Sequence, residues 1–104
     1  MREVLLALTN PVEGKEEEFR EWYWGKHIPE ILDLPGFVSA RRCRAADGAV
    51  GVPYRYATVY EVEGSAKAAL ETLFTAGLSS SDALDTTSVV MVPLLVEDEQ
   101  PPAL

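Results

Sequence analysis

Two halves of the sequence repeat the same order of strand-like and helix-like segments at nearly the same spacing. The first half runs from Glu3 to Phe37 and the second from Tyr54 to Ser88. Each takes about 34 residues from the start of one apolar, strand-like run to the start of the next, with a helix-like segment between them. The repeat therefore predicts the order β-α-β-β-α-β.

Right-handed crossovers in two such units give a four-stranded antiparallel sheet with both helices on one face, a ferredoxin-like α+β fold. We expect strands at residues 3–9, 37–44, 54–62 and 88–96. Pro93 has no N–H to donate, so the last strand should lie at a sheet edge.

The first predicted helix covers residues 14–27, with the acidic run 16–18 in its first turn. We expect Pro29 to stop this helix and residues 30–34 to form an irregular turn, because the residue before a proline avoids helical geometry. A kinked continuation through Pro29 is the alternative. A second helix should begin after Ser65 as N-cap and stop near Gly77. Its predicted buried stripe is Ala66, Ala69, Leu70, Leu73 and Phe74.

The first strand is apolar on both faces. Val4, Leu6 and Leu8 point to one side, while Leu5 and Ala7 point to the other. Helices on one side of a sheet cover only one of these faces, so something else must cover the second. We predict a homodimer in which two sheets pack face to face as an eight-stranded barrel.

Composition excludes several classes of function. The 104 residues predict one domain at 1–96 with an acidic, loosely ordered tail at 97–104. A net charge of −8 disfavours binding to nucleic acid or to an anionic membrane. One cysteine and one histidine cannot form a closed metal site, and the lone cysteine favours a reducing cytoplasm. No apolar run is long enough for a signal-peptide core or a membrane span.

Two runs of the sequence resemble the pattern of a known family; they are NPVEGKEEEFREWYWGKHIPEILDLPGFVSA and YRYATVYEVEG. The pattern N-P-x-x-G, F-x-x-W-Y, H-x-P, P-G-F and a strand ending in Y-E-V resembles the EthD-like branch of the dimeric α/β-barrel superfamily. It covers about half of the chain, from Leu8 to Gly64. The resemblance implies a homodimer with a pocket between the sheet and the helices of each subunit. Relatives often have an acid directly after W-Y, where this chain has Trp24.

His27 is the predicted catalytic centre, because its unperturbed pKa lies near neutrality. Tyr23 lies four residues earlier on the same helical face. We expect His27 to remove a proton next to a carbonyl while Tyr23 or a strand tyrosine donates a hydrogen bond to the developing oxyanion. Two alternatives remain at this stage: His27 contacts a ligand without catalysis, or it caps the C-terminus of its helix.

Five further residues are predicted ligand contacts, each with a structural alternative. For the aromatic residues the alternative is packing in the core, against a partner or on the surface. Arg41 and Arg42 point to opposite faces of their strand, so one could instead pair with an acid such as Glu61. The five are Trp22, Trp24, Tyr56, Tyr60 and Arg41.

The favoured function is a small enzyme that needs no cofactor and no metal. It would act on an aromatic or polyketide-like molecule by histidine acid–base chemistry, as a cyclase, dehydratase or oxygenase. The rival is a non-catalytic small-molecule-binding or stress-related dimeric barrel protein, which needs only an apolar cavity. The two differ in whether His27 and a tyrosine point into that cavity.

Overall fold

A computed structural model describes residues 2–48 and 50–98, and it contains the predicted four-stranded antiparallel sheet. The strand order is β2-β3-β1-β4. The bounds are β1 Arg2–Thr9, β2 Phe37–Arg44, β3 Tyr56–Glu63 and β4 Val90–Leu94. With helices in both crossovers, this order confirms the ferredoxin-like prediction. Pro93 lies in β4, which is the last strand of the order beside β1, so the proline is on an edge strand as predicted.

The first crossover is a continuous helical stretch of three parts. It begins with α1, Glu16–Trp22, continues as a π-helical turn, Tyr23–His27, and ends with α2, Ile28–Leu32. The second crossover is α3, Ala66–Thr75, whose first turn is capped by the Ser65 side chain accepting from the amide of Ala68 at 3.1 Å. Gly77 follows α3 with φ +66°, which is consistent with its predicted role as a stop.

The prediction that Pro29 stops the first helix is wrong. An α-helix would require the amide of residue 29 to bond to the carbonyl of residue 25, and proline has no such amide. In the π turn the ladder is shifted by one residue, so that Ile28 N–H bonds to the carbonyl of Tyr23. Ile28 keeps helical dihedrals although a proline follows it. Residues 28–32 are therefore helical, and most of the predicted irregular turn 30–34 is absent.

The two faces of the sheet differ in what covers them. On the helix side lie the alternate residues Leu5, Ala7 and Thr9 of β1, all buried. The same side carries the buried residues of β3, which are Tyr56, Thr58, Tyr60 and Val62. The helices add Phe19, Tyr23, Ile28 and Ile31 to this core.

The opposite face of the sheet is apolar and uncovered within one chain. Val4, Leu6 and Leu8 of β1 lie there, as predicted, and are only half-buried. The register places Val59 of β3 opposite Leu6, and Val90 and Leu94 of β4 also belong to this face. Such a continuous apolar surface on a small domain marks an interaction site.

Smaller corrections concern the ends of elements and one side chain. Strands β3 and β4 are shorter than the predicted ranges 54–62 and 88–96. Phe74 is 70% exposed, not buried, and lies in the last turn of α3, whereas the buried residues Ala66 and Ala69 lie in its first half. Of the predicted tail 97–104, residues 99–104 lie outside the described residues.

Two glycine substitutions should change stability in opposite directions. Gly25 has helical dihedrals inside the π turn, and an added Cβ meets nothing within 4 Å. Gly25→Ala should stabilise the protein by about 0.5–1 kcal/mol, because it restricts the unfolded chain. Gly14 also has open space but a φ of +81°, so Gly14→Ala should destabilise by about 1–2 kcal/mol. Urea unfolding measures both, and a destabilising Gly25→Ala would contradict the continuous helix.

Candidate functional site

A cavity of about 300 Å³ lies between the helix face of the sheet and the two crossovers. The sheet contributes Ala7, Thr9 and Met91, and the first crossover contributes Tyr23, His27 and Ile31. The remaining wall comes from α3 and the segment after it. Its residues are Leu73, Phe74, Gly77, Leu78, Ser79, Leu84 and Val89. None of the lining side chains is Asp, Glu, Lys or Arg.

The π turn presents His27 and Tyr23 together at this cavity. Their ring centroids are 5.4 Å apart. The imidazole also stacks on the indole of Trp22, with centroids 4.5 Å apart and an angle of 23° between the planes. Only 18% of the His27 side chain is exposed. Because a flat ring packed on a larger ring has little freedom to rotate, Trp22 holds the imidazole plane in place.

The buried nitrogen of His27 faces a carboxylate. Nδ1 lies 3.8 Å from Oε1 of Glu30, three residues later, and has no hydrogen-bond partner at this distance. His27 is one of the residues that line the cavity, and Nδ1 is its buried nitrogen without a hydrogen-bond partner. The helix continuing through Pro29 is what brings Glu30 to the same side as His27.

A chain of hydrogen bonds fixes the Glu30 carboxylate. Trp22 Nε1–H donates to Ser79 Oγ at 3.1 Å, and the Ser79 hydroxyl donates to Glu30 Oε1 in a short bond. Trp22 therefore acts twice, by stacking on the imidazole and by orienting the serine that holds the acid. The arrangement resembles a base with an orienting carboxylate, the pattern in which one ring nitrogen is held while the other does chemistry.

Opposing effects set the protonation of these groups. Burial lowers the pKa of His27, and the neighbouring Glu30 carboxylate partly opposes that by stabilising the imidazolium. The hydrogen bond from Ser79 lowers the pKa of Glu30, so the acid stays ionised. Burial raises the pKa of Tyr23, which keeps its phenol protonated. At neutral pH the site thus holds a neutral imidazole, a carboxylate and a phenol donor.

Buried hydroxyls lie behind this site. Burial raises the pKa of Tyr60, and the adjacent Tyr23 adds to the effect. The Tyr60 hydroxyl has no partner with hydrogen-bond geometry, although Tyr23 and Thr58 are near it. Thr9, on the cavity wall, likewise has a buried hydroxyl without a partner. Such unpaired buried groups are uncommon in native proteins and often mark sites where a ligand or water supplies the missing bond.

The other predicted ligand residues lie outside the cavity lining. Trp22 backs His27, and Tyr60 lies in the core beneath Tyr23. Trp24 packs edge-on against Tyr56 on the other side of the helix. It carries the guanidinium groups of two arginines over its ring, Arg20 at 4.4 Å and Arg42 at 4.8 Å.

Arg41 lies apart from all of these residues. It pairs with Val59 in the ladder and is exposed on the uncovered sheet face. Its suggested ion-pair partner Glu61 is instead bound by Arg2 at 3.0 Å. Arg42 and Arg41 do point to opposite faces, as predicted. The alternative in which His27 caps the end of its helix is wrong, because the helix continues to Leu32.

Sequence reasoning missed Glu30, Ser79 and Thr9. The signal for Glu30 was present, since an acid three residues after a histidine shares its helical face. Ending the helix at Pro29 hid it. Ser79 is 49 residues from Glu30 in the chain, and no local pattern joins them. The expected acid before the histidine is replaced by Trp24, and the carboxylate instead follows His27.

Comparison with known proteins supports the fold and little beyond it. No family model matches the chain, and no curated protein matches it. Among solved structures, it is similar to a dimeric ferredoxin-like protein of unknown function from Jannaschia sp. CCS1. The TM-score is 0.61 at 16% identity, over 92% of this chain and 100% of that chain.

Two features are absent from residues 2–48 and 50–98. No helix there is long and apolar enough to cross a membrane. The same residues hold no cluster of three or more His, Cys, Asp or Glu side chains that could bind a metal ion.

His27 is the single histidine, so its titration can be followed by NMR of the imidazole without ambiguity. We expect its pKa to lie below 6.5 and to fall further in Glu30→Gln, which removes the opposing carboxylate. Asp33→Asn, the same charge change at an exposed site on the same crossover, is the control. A pKa unchanged by Glu30→Gln, or lowered equally by Asp33→Asn, would contradict the pairing.

The lowered pKa of His27 predicts the sign of the pH dependence of stability. The unfolded chain binds a proton on His27 at about pH 6.5, and the folded chain binds it only at lower pH. Between the two values the unfolded state holds more protons, so His27 makes the fold less stable as pH falls through this window. Glu30→Gln should lower the folded-state pKa of His27 further and so extend this pH range to lower pH.

Proposed function

We propose that the protein is a small, cofactor-independent enzyme in which His27 is a general base acting through Nε2. The observation that carries the proposal is the cavity wall itself. A neutral imidazole and a phenol meet there, and the buried ring nitrogen faces an ionised carboxylate. A base whose pKa lies near or below neutrality is unprotonated and ready to accept a proton at working pH.

The chemistry this arrangement supports is proton removal next to a carbonyl. The Nε2 atom would take the proton, and Glu30 would stabilise the imidazolium that forms at Nδ1. Tyr23, kept protonated by burial, would donate to the oxygen of the enolate. Cyclisation by aldol addition and dehydration both begin with this step. A cofactor-free oxygenase would use the same carbanion as its electron source.

The substrate class follows from the resemblance and from the walls of the cavity. We infer an EthD-like relative that acts on an aromatic or polyketide-like compound, supported by the N-P-x-x-G, F-x-x-W-Y and H-x-P residues. The mostly aliphatic and aromatic lining accords with an apolar substrate. The alternative function is that of a non-catalytic binding protein, whose cavity would bind such a compound without any reaction.

We further propose a homodimer joined through the uncovered sheet face and a cytoplasmic location. The half-buried leucines and valines of that face support the dimer, since water would otherwise contact them. The similar structure from Jannaschia sp. CCS1 is described as dimeric. The single cysteine supports a reducing compartment. The remaining predicted contacts Trp24, Tyr56 and Arg41 would then act, if at all, outside the His27 cavity.

The dimer can be tested by mass in solution. Analytical ultracentrifugation at micromolar concentration should give twice the chain mass of 11.4 kDa. Leu6→Glu, which places a charge at the centre of the uncovered face, should shift the protein to monomer. Leu32→Glu, at an exposed apolar position on α2, should remain dimeric. A monomeric wild type would contradict the proposal.

The base can be tested before the natural substrate is known. Ketones exchange their α-hydrogens for deuterium when a base forms the enolate, and NMR in D₂O follows the rate with 1-tetralone or 2-tetralone as probe. The protein should accelerate exchange, and His27→Gln should lower the rate roughly a hundredfold or more. Tyr23→Phe should lower it less, because only the oxyanion donor is lost.

The controls separate catalysis from folding and from buffer effects. Asp33→Asn, with its exposed site away from the cavity, should exchange as the wild type does. Circular dichroism verifies that each variant is folded. Exchange that persists in folded His27→Gln would rule His27 out as the base.

A further inference from the structure

We propose that the cavity selects uncharged ligands no larger than about two fused rings, with one polar end at His27 and Tyr23. This inference rests on the proposed function and specifies its substrate class. It comes from the size of the cavity, the distribution of polar groups on its wall and the absence of charge from that wall.

Size sets the upper limit. An engineered apolar cavity of about 150 Å³ holds one benzene molecule. The cavity here is about 300 Å³, so it has room for roughly two such rings. It is also at the lower end of the range of about 300–1,000 Å³ that small-molecule sites span. A longer molecule would have to extend into solvent past the exposed residues of the lining, which are Phe74 and Gly77.

Three of the four polar side chains that line the cavity are linked to one another, and the fourth is Thr9. Tyr23 and His27 are in ring contact, and Ser79 is tied to the same corner through Glu30. The Ser79 hydroxyl donates to Glu30, and its oxygen accepts from Trp22. It therefore has little capacity left to form a hydrogen bond with a ligand. The body of a ligand would meet Leu73, Leu78, Leu84, Val89 and Met91. The cavity therefore suits one oxygen function on an apolar skeleton.

Charge is the discriminating property. No lining side chain is Lys or Arg, and burial keeps His27 neutral by lowering its pKa. The ionised Glu30 carboxylate lies 3.8 Å from Nδ1 of His27 and would repel an anion. A carboxylate ligand would lose its hydration without gaining a cationic partner, and that desolvation is costly. A ketone or alcohol of the same skeleton loses far less and can pair with Tyr23.

Binding measurements with three matched probes test this selectivity directly. Tetralin, 1-tetralone and 1,2,3,4-tetrahydro-1-naphthoate share one bicyclic skeleton and differ in carrying no oxygen, a ketone or a carboxylate. Isothermal titration calorimetry of the wild type should give the tightest binding for 1-tetralone. The carboxylate should bind at least about tenfold more weakly. Tyr23→Phe should reduce the advantage of 1-tetralone over tetralin.

A charge introduced into the wall should change the preference. Leu78 lies in the irregular segment after α3, where a longer side chain can be accommodated. Leu78→Lys should abolish or reverse the difference in affinity between 1-tetralone and the carboxylate. Leu32→Lys, outside the cavity, should leave that difference as in the wild type. A wild type that binds the carboxylate as tightly as the ketone would overturn the proposal, and so would one that binds none of the probes.

The outcome is separate from that of the catalytic test. If 1-tetralone binds selectively but exchanges no faster than in buffer, the ligand class stands and the base assignment fails. If exchange depends on His27 but the carboxylate binds equally well, the base stands and the inferred selectivity fails.

Discussion

The π-helical turn Tyr23–His27 is the constraint on which the candidate site depends. It joins α1 to α2, and Pro29 lies in the first turn of α2, where the missing amide of a proline is tolerated. As a result Glu30 comes three residues after His27 on the same side of the helix. A helix ending at His27 would leave the imidazole without its carboxylate. Single π turns inside α-helices are frequent at functional sites, and this one shows a physical reason.

Next to that turn, Trp22 both packs against His27 and helps to orient Glu30. Its ring stacks on the imidazole, and its N–H orients Ser79, which in turn holds Glu30. The carboxylate is partly exposed, so its attraction for His27 is weakened by water, and burial remains the larger influence on the histidine. The balance leaves a neutral base beside a cavity whose remaining wall is almost wholly apolar.

The fold was predictable because its signals are local and periodic. The apolar residues of β1 and the matched lengths of the two halves both specify the same topology. His27 and Tyr23 could be selected as a pair because they share one helical face. Glu30 was missed through one wrong rule about Pro29. A pocket was expected from the resemblance alone, but Ser79 and the rest of the lining could not be predicted, since they depend on how segments about 50 residues apart approach one another.

The tautomer of His27 at neutral pH tests the central claim most directly. If Nδ1 is held by Glu30 and Nε2 is the base, the neutral ring must carry its proton on Nδ1. Nitrogen-15 chemical shifts of the single imidazole distinguish the two tautomers in the intact protein. The account predicts a protonated Nδ1 and a free Nε2, with that preference lost in Glu30→Gln. A proton on Nε2 in the wild type would contradict it, because the nitrogen facing the cavity could not then accept a proton.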